Sequence, residues 1–406
     1  MHILFLTDNF PPEGNAPATR TYEHAREWVK LGHKVTIITG APNFPEGKVF
    51  KGYSNSWYSK STLDGIEVRR VKTYITANEG FAKRIIDFMS FMVASFFAGL
   101  FVKKPDVIVG TSPQFFTAIS AWALSAVRFK PFVFELRDIW PASITAVGAM
   151  GRSLPIRILE KIEMFLYQRA DKIISVTHSF KSELIERGVD GEKIDVVLNG
   201  VDLSKYEPAP HKDETFAKQY DLTDKFVVGY VGTHGLAHSL DKIVEAAELL
   251  IDLEDVRILF AGGGAAKAGV EKLVKDKQLS NVVLIPRQEK KLMPKLWSLC
   301  DISLISLKNT DLFKTVIPSK IFESMGMGLP MIITAPEGEA TDIIQRSNSG
   351  LIVKPESPID LANAIRTLFE DRLELEKLAS NSFTAANIYE RKKLALLMLD
   401  KIKEIN

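Results

Sequence analysis

At 406 residues the chain is long enough for two domains, and with 46% hydrophobic and 25% charged residues it has the composition of a folded globular protein. A formal charge of +2 excludes the strongly basic surface that nucleic-acid-binding proteins typically carry, so we expect no nucleic-acid partner. The single cysteine, Cys300, excludes an internal disulfide and suits a reducing cytoplasm, and without paired Cys and His spacings we expect no metal site.

The first half of the chain alternates apolar runs of strand length with segments of helix length. The run at residues 1–8 has no basic region and cleavage site of a signal peptide, so we interpret it as a first strand. An amphipathic segment from Thr19 to Leu31 ends at Gly32, as a helix should. Strands are predicted at 2–7, 34–39, 66–71, 106–110, 131–135 and 172–177. Because these runs are continuous rather than alternating, they predict a parallel sheet covered by helices on both faces.

Residues 85–102 form a long apolar segment with a single charge, flanked by the basic pairs 83–84 and 103–104. Its length alone would permit a membrane span. However, the buried strand 106–110 follows at once, and spanning would remove that strand from the sheet. We therefore expect a helix that packs on the sheet by one face and touches lipid with the other, a fully buried helix being the alternative.

The second half of the chain repeats the same pattern after a polar, proline-containing junction at residues 199–225. Strands are predicted at 226–231, 257–261, 282–285, 302–305 and 331–334. We therefore predict two doubly wound α/β domains, at residues 1–205 and 206–385, and a helical tail at 386–406.

In each predicted domain a glycine-containing loop follows the first strand. Ligands bind at the carboxyl ends of such strands. In the long loop from Thr7 to Thr19, Gly14 and Asn15 could let the backbone approach a ligand, although a structural turn is the alternative. In the second domain, Gly232 and Gly235 permit an anion-facing turn. The neighbouring polar residues are Ser239, a candidate helix cap, and His234 and His238, which in such positions are more often solvated or packed than catalytic.

Charged residues mark two further loops. Arg137 and Asp138 lie at one strand end, where they could contact substrate or simply pair with each other. In the segment 318–330, Ser319 is a candidate N-cap and Glu323 falls in the first turn of the helix. A carboxylate there can bind a sugar diol while the helix start receives phosphate, but it could also only favour its own helix dipole.

These motifs together make the chain similar, over essentially its whole length, to the family-four glycosyltransferases of GT-B architecture. The resemblance is carried by Gly32–Thr39, Asp138–Pro141, Asn199–Asp202, and Glu323 before Gly328–Pro330. Within that family, Pro17–His24, Arg137–Pro141, Gly232–Gly235 and Pro318–Lys320 resemble bacterial enzymes of O-antigen and capsule assembly, the N-acetyl-L-fucosaminyl transferases above all. The fold implied is two Rossmann-like domains facing across a cleft, with the tail helix returning to the N-terminal domain.

The resemblance also implies the chemistry. The N-terminal domain would bind the acceptor and the C-terminal domain a nucleotide sugar, which would be UDP-linked and transferred with retention, without a metal or other cofactor. Glu323 would hold the ribose hydroxyls, Ser319 would face the diphosphate, and Arg287 would border the base. The donor-binding residues implied are Gly14, Asn15, Gly232, Thr233, His234, Gly235, Arg287, Thr315, Val316, Ile317, Pro318, Ser319, Lys320 and Glu323.

The chain departs from the family pattern at three places. Thr315 stands where a second Glu is usual, Arg137 stands where many members have His, and the usual Arg and Lys of the loop at 232–242 are not evident. The leaving diphosphate still needs positive charge. Lys320 is the preferred source, with Arg137 or a neutral His234 as helpers, and the catalytic residues expected are Asp138, Arg137 and Lys320.

The expected partners are therefore a UDP-sugar donor and a polyprenyl-diphosphate-linked glycan acceptor. Contact through residues 85–102 would hold the protein at the inner face of the cell membrane. Two other functions stay open at this point: a UDP-N-acetylhexosamine 2-epimerase of the same architecture, and a nucleotide-sugar-binding protein without catalytic activity.

Overall fold

The computed structural model describes residues 1–44, 46–76, 81–139 and 154–405. The chain forms two compact units. The first comprises Met1–Leu198 together with Arg391–Asn406, and the second is the continuous segment Asn199–Glu390. The chain therefore leaves the first unit, builds the whole of the second, and returns.

The first unit contains an eight-stranded sheet in the order β3-β4-β2-β1-β5-β6-β7-β8. Its strands are β1 (His2–Leu6), β2 (Lys34–Thr39), β3 (Tyr58–Leu63), β4 (Ile66–Val71), β5 (Val107–Thr111), β6 (Phe132–Leu136), β7 (Lys172–Ser175) and β8 (Ile194–Val196). The helices between them are α1 (Ala16–Lys30), α2 (Phe81–Leu100), α3 (Phe115–Arg128), α4 (Leu154–Arg169) and α5 (His178–Glu186).

The second unit contains a six-stranded sheet in the order β11-β10-β9-β12-β13-β14. Its strands are β9 (Phe226–Thr233), β10 (Val256–Gly263), β11 (Val282–Pro286), β12 (Ile302–Ser306), β13 (Met331–Thr334) and β14 (Gly350–Val353). Its helices are α6 (Glu214–Gln219), α7 (Leu240–Glu248), α8 (Lys267–Asp276), α9 (Met293–Trp297), α10 (Lys320–Gly326), α11 (Glu339–Ser347), α12 (Pro358–Glu370) and α13 (Arg372–Ala386). The last helix, α14 (Arg391–Lys403), belongs to the first unit.

The predicted doubly wound parallel fold is confirmed. Among the described residues, β3 and β4 form the only antiparallel pair, and the other neighbouring strands run parallel. Each sheet is covered by apolar side chains on both faces, which explains the continuous apolar runs in the sequence. The strands β3, β8 and β14 were not predicted. The sequence of β3, Tyr58-Ser-Lys-Ser-Thr-Leu63, is polar and largely exposed at the sheet edge, so it lacks the apolar signal of a buried strand.

In each unit the strand order reverses beside the first strand. In the second unit, β9 lies between β10 and β12, and the chain moves outward from β9 in both directions. Such a reversal separates the helices that follow the two strands, and it opens a crevice at the carboxyl ends of the strands. The loop after β9 and the segment before α10 are therefore where a ligand is expected in this unit.

The helix α14 is attached to the first unit through α1. The indole Nε1 of Trp28 donates a hydrogen bond to the carbonyl oxygen of Ala395 at 2.8 Å. The guanidinium of Arg391 pairs with the carboxylate of Glu23 at 2.8 Å, and both side chains are buried. Apolar residues of α14, including Met398, pack in the same core cluster as Trp28. Residues distant in sequence thus complete one face of the first sheet.

A second buried ion pair fixes α1 to the sheet. Arg20 is fully buried, and its Nε donates to the carboxylate of Glu135 on β6 at 2.8 Å. Its two other nitrogens donate to the carbonyl oxygens of Val197 and Leu198 at 2.9 and 2.7 Å. One guanidinium therefore joins the first helix, a central strand and the last residues of the unit's first segment.

We predict that Arg20→Met lowers the free energy of unfolding by about 3–5 kcal/mol, because Glu135 is left charged and buried without its partner. The double variant Arg20→Met with Glu135→Leu should be less destabilised than Arg20→Met alone, since the buried carboxylate that lost its partner is removed as well. Urea unfolding of the two single variants and the double variant measures this difference. Additive effects of the two substitutions would show that the pair is not energetically coupled.

Candidate functional site

The backbone at the end of β9 comes unusually close to that of β10. Gly232 has φ +133° and Gly262 has φ +154°, conformations that side-chain-bearing residues rarely adopt. A Cβ atom on Gly262 would lie 1.8 Å from the carbonyl oxygen of Gly232. The close approach of the two strands therefore requires glycine at position 262. A Cβ atom on Gly232 would instead lie 3.7 Å from Nζ of Lys320, so the end of β9 is open toward that amine.

Lys320, the first residue of α10, carries a buried amine that has no hydrogen-bond partner in the part of the chain that the structure describes. Its relative exposure is 8%, and no described residue accepts a hydrogen bond from its Nζ. The amine lies 3.5 Å from the centre of the Tyr230 ring, which supplies a cation–π contact. Burial lowers the pKa of Lys320 to about 7, although the negative charge of Glu323 opposes this shift. The site thus contains a cation that is poorly satisfied by the protein alone.

His234 lies beside this amine and also lacks partners. It is 1% exposed, and neither ring nitrogen has a hydrogen-bond partner among the described residues. Burial, with a smaller effect of the positive charge of Lys320, lowers the pKa of His234 to about 4. The pKa of His238 is likewise lowered to about 4, chiefly by burial, and its Nδ1 lies 3.1 Å from the carbonyl oxygen of Ser306. Both imidazoles are therefore neutral at neutral pH.

A cavity of about 170 Å³ opens next to His234. It is lined by His234, Phe260, Lys267, Val270, Glu271, Leu284, Ile285 and Pro286. Aromatic and aliphatic walls with a few polar groups are typical of small-molecule sites. Arg287 follows directly after this wall and is exposed.

Glu323 lies in the first turn of α10, as predicted. One carboxylate oxygen pairs with the ammonium of Lys290 at 2.7 Å, and the other accepts a hydrogen bond from the indole of Trp297 at 3.2 Å. Burial alone would raise the pKa of Glu323, but the charge of Lys290 and hydrogen bonds from Lys290, Trp297 and Tyr206 lower it overall. The carboxylate is therefore ionised and held in one orientation.

Two predicted helix caps are wrong in their hydrogen bonding. Ser319 occupies the N-cap position of α10, but its side chain caps no backbone N–H, because the residue has helical rather than extended backbone angles. Ser239 precedes α7 with φ +42°, and its hydroxyl donates instead to the carboxylate of Glu356 at 3.0 Å. Since α10 has only seven residues, the amine of Lys320 is a stronger source of positive potential than the helix dipole.

The segment before α10 contains the remaining donor-side candidates. Thr315, Val316, Ile317, Pro318 and Ser319 are all partly buried. The hydroxyl of Thr315 donates to the carbonyl oxygen of Leu312 at 3.0 Å, so it closes a helical turn at this position. The hydroxyl of Thr315 therefore has a structural role here. Another donor-binding candidate, Thr233, lies at the end of β9 and is exposed.

In the first unit, Gly14 and Asn15 lie where β1 passes into α1. Gly14 is exposed, and Asn15 caps α1 by accepting a hydrogen bond from the backbone N–H of Ala18 at 3.0 Å. The loop is held by the buried carboxylate of Glu13, which accepts hydrogen bonds from three backbone N–H groups, those of Phe10, Asn43 and Phe44. Hydrogen bonds therefore fix the conformation of this loop, and its glycine is exposed.

Arg137 and Asp138 follow β6 in the same unit. The hydroxyl of Ser112 accepts hydrogen bonds from both backbone N–H groups, at 2.7 and 3.1 Å. The guanidinium of Arg137 donates to the carbonyl oxygen of Pro17 at 3.2 Å, and burial lowers the pKa of Arg137 to about 10, which leaves it charged. The rest of the predicted motif, residues 140–141, lies outside the described residues.

The sequence reasoning missed the residues that hold the candidates in place. Lys290 and Trp297 lie 33 and 26 positions before Glu323, and Tyr230 lies 90 positions before Lys320. No local spacing relates them. The available signal was only that Tyr230 lies in a predicted strand and that Lys290 and Trp297 belong to the connection after another strand of the same domain. Within the described ranges, no group of three or more His, Cys, Asp or Glu side chains is arranged to hold a metal ion.

Comparison with known families matches both halves of the chain. Residues 17–205 match the family described as Glycosyltransferase Family 4, and residues 211–384 match the family described as Glycosyl transferases group 1. The two matches meet near the division between the units.

Individual proteins are similar over most of the chain. WcaI of Escherichia coli, named as a colanic acid biosynthesis glycosyl transferase, is 27% identical over 90% of this chain and 91% of its own. WbjE of Pseudomonas aeruginosa, named as a glycosyltransferase, is 25% identical over 68% of each chain. The crystal structure of Anabaena HepE in complex with UDP is similar in fold, with a TM-score of 0.73 and 16% identity over the whole of both chains.

We predict that Lys320→Met leaves the protein at least as stable as the wild type at pH 7, because it removes a buried and unpartnered charge. The folded wild type releases this proton near pH 7, whereas the unfolded chain keeps it until about pH 10. Wild-type stability relative to the variant should therefore rise between pH 7 and 9, by up to about 1.4 kcal/mol per pH unit.

Urea unfolding at three pH values in that range measures the difference. Lys291→Met, which removes an exposed amine, is the control and should show no such slope. A pH-independent difference for Lys320→Met would contradict a buried amine that titrates near neutrality.

Proposed function

Because the chain belongs to the family 4 glycosyltransferases, we propose that it moves a sugar from a UDP-sugar to a lipid-linked glycan with retention of the anomeric configuration. The proposed sugar is N-acetyl-L-fucosamine or a related N-acetylated deoxyhexose, and the proposed process is the assembly of O-antigen or capsule polysaccharide. Similarity to WcaI supports a role in polysaccharide assembly, and the bound UDP in the HepE structure supports the choice of nucleotide.

The observation that carries the proposal is the buried amine of Lys320, for which no described residue supplies a hydrogen-bond acceptor. Burying such a group costs free energy unless a partner satisfies it. A diphosphate supplies negative charge and acceptor oxygens, so its binding would offset that cost. Because the amine faces the glycine turn of Gly232, a phosphate group could also approach the backbone there.

The neighbouring groups suit the rest of a UDP-sugar. The cavity beside His234 and Pro286 would hold the uracil ring, with Arg287 at its border. Glu323 would accept hydrogen bonds from the ribose hydroxyls. Both of its oxygens already accept one hydrogen bond, but each carboxylate oxygen has two acceptor sites. Lys290 and Trp297 would then be positioning residues that aim this carboxylate.

The transfer would need no nucleophile from the protein. The bond between the anomeric carbon and the β-phosphate oxygen breaks, and the acceptor oxygen bonds to the same face of that carbon. The proton of the acceptor hydroxyl passes to the departing phosphate oxygen. The negative charge that develops on the diphosphate would be stabilised by the ammonium of Lys320, in a site already organised before the reaction. His234 is neutral and could donate a hydrogen bond to the same oxygens.

In the first unit, Arg137 and Asp138 are the proposed acceptor-side residues. Their backbone positions are fixed by Ser112, which suits groups that orient a substrate. The apolar segment 85–102 would contact the inner face of the cell membrane, where a polyprenyl-linked acceptor is found. None of the described helices is long and apolar enough to cross a membrane.

We predict that UDP binds the wild type and that Lys320→Met weakens this binding at least tenfold, since a charge-assisted contact to phosphate is lost. Above pH 7 the wild-type Kd should increase, by at most about tenfold per pH unit, because the amine must take up a proton on binding. Calorimetric titration with UDP between pH 7 and 9 measures both effects. Equal affinity in Lys320→Met, or pH-independent binding, would exclude Lys320 as the diphosphate ligand; Lys291→Met is the matched control.

We also predict that labelled UDP-N-acetyl-L-fucosamine, incubated with the protein and a bacterial membrane extract, yields labelled lipid. Glu323→Gln and Asp138→Asn should lower the rate at least tenfold without lowering Tm, because each keeps the volume of the side chain and removes a charge at the site. A labelled free epimer would identify an epimerase instead, and no product with any UDP-sugar would favour a binding protein without activity.

A further inference from the structure

The helix α2 presents apolar side chains on two faces. One face is buried: Phe91 and Ala98 pack in the core cluster shared with α3. The other face carries an exposed stripe at spacings of three and four residues, so its members lie above one another on the helix. The stripe consists of Ile86, Met89, Val93 and Phe97, each between 46% and 57% exposed.

This outer face is one wall of a groove of about 1060 Å³, and the hairpin β3–β4 is the other. The groove is lined by Trp57, Tyr58, Arg69, Val71, Lys72, Ile86, Met89, Ser90, Val93, Ala94, Phe97, Ala98 and Phe101. The hydroxyl of Ser90 accepts a hydrogen bond from the backbone N–H of Tyr74 at 2.8 Å, which links the two walls. The volume slightly exceeds the usual range for small-molecule sites, about 300–1,000 Å³.

The shape of the groove suits a single hydrocarbon chain better than a flat membrane surface. Its floor is formed by Val71 and Ala98, which are 3% and 9% exposed, whereas Trp57 at the rim is 82% exposed. A bilayer surface laid across the rim would reach the outer residues but not the floor. A single hydrocarbon chain could enter and contact both, which buries more apolar surface.

The charges around the groove are positive. The ammonium of Lys72 lies over the Trp57 ring at 4.5 Å, and Lys72 forms no ion pair among the described residues. The guanidinium of Arg69 pairs with Glu67 at 2.7 Å. Lys83 and Arg84 lie in the first turn of α2 and Lys103 and Lys104 follow its end, and none of them is ion-paired within the described part of the chain. A ligand with an apolar chain and an anionic head therefore complements this surface.

We propose that this groove binds the isoprenoid chain of the diphosphate-linked acceptor, with the chain on the α2 stripe and the diphosphate near Lys72. The inference rests on the proposed function, since it assigns a place to the lipid part of the acceptor. It adds that one chain leaves the bilayer and enters the protein, instead of the helix only resting on the membrane.

The test uses farnesyl diphosphate, a soluble isoprenoid diphosphate, titrated into the full chain by calorimetry with UDP present in excess. Inorganic pyrophosphate is the headgroup control. Ala94→Phe fills the groove while keeping the stripe apolar, and Val93→Glu places a charge in it. Val127→Phe and Val127→Glu are the matched controls, because Val127 lies on α3 outside the groove and is 55% exposed.

We expect farnesyl diphosphate to bind at least tenfold more tightly than pyrophosphate. Both Ala94→Phe and Val93→Glu should weaken it at least tenfold, whereas the Val127 variants should not. Binding of Ala94→Phe to phosphatidylglycerol vesicles should stay within twofold of the wild type. Tm and the Kd of UDP should be unchanged in all four variants. A loss of UDP binding, which would contradict the proposed function, can thus be distinguished from a loss of farnesyl diphosphate binding.

Three results would overturn the proposal. Farnesyl diphosphate and pyrophosphate of equal affinity would show recognition of the headgroup alone. Unchanged affinity in both Ala94→Phe and Val93→Glu would place the ligand elsewhere. Loss of vesicle binding in Val93→Glu with normal farnesyl diphosphate binding in Ala94→Phe would show that the stripe only contacts the bilayer.

Discussion

Two parallel strands can be neighbours only if the chain crosses a face of the sheet between them, and this requirement determines where both sheets carry their loops. In the second unit it brings the glycine turn after β9, the start of α10 and the loop after β11 to one edge. The amine of Lys320 and the carboxylate of Glu323 come together there although their partners are far apart in sequence. In the first unit the antiparallel hairpin β3–β4 lies at the sheet edge beside α2 and so forms a wall of the groove.

In the cluster formed by Lys320, His234 and Glu323, the hydrogen-bonding groups differ in whether the protein supplies them with partners. Each carboxylate oxygen of Glu323 has a partner, whereas the side-chain nitrogens of Lys320 and His234 have none among the described residues. A protein selected only for stability would not retain a buried amine in this state, because a hydrocarbon side chain of similar volume costs less. The arrangement is understandable if an anion completes it during function. The neutral state of His234 follows from the same burial, so the cluster combines one adjustable cation with one neutral hydrogen-bonding ring.

The fold was predictable from the sequence because it depends on continuous apolar runs, which parallel strands require. The edge strand β3 was missed since its residues are polar on both faces. The site was predictable only in part: the position of Glu323 in the first turn of α10 follows from local signals. The roles of Lys290 and Trp297 do not, because their contacts with Glu323 depend on the folded sheet. The capping predictions for Ser319 and Ser239 failed because the backbone angles at a helix start are set by the preceding turn, which residue identity does not reveal.

The return of the chain to the first unit has a consequence for its synthesis. Trp28 is buried in a cluster that includes Leu394 and Met398, and its indole is bonded to Ala395. When residue 198 leaves the ribosome, this face of the first sheet still lacks its cover. At about 5–20 residues per second, the 205 positions up to Lys403 take roughly 10–40 s to be added. The second unit, which is continuous, can fold during that interval. The unit that begins the chain is therefore the last to be completed, and its exposed apolar face is a natural site for chaperone binding until then.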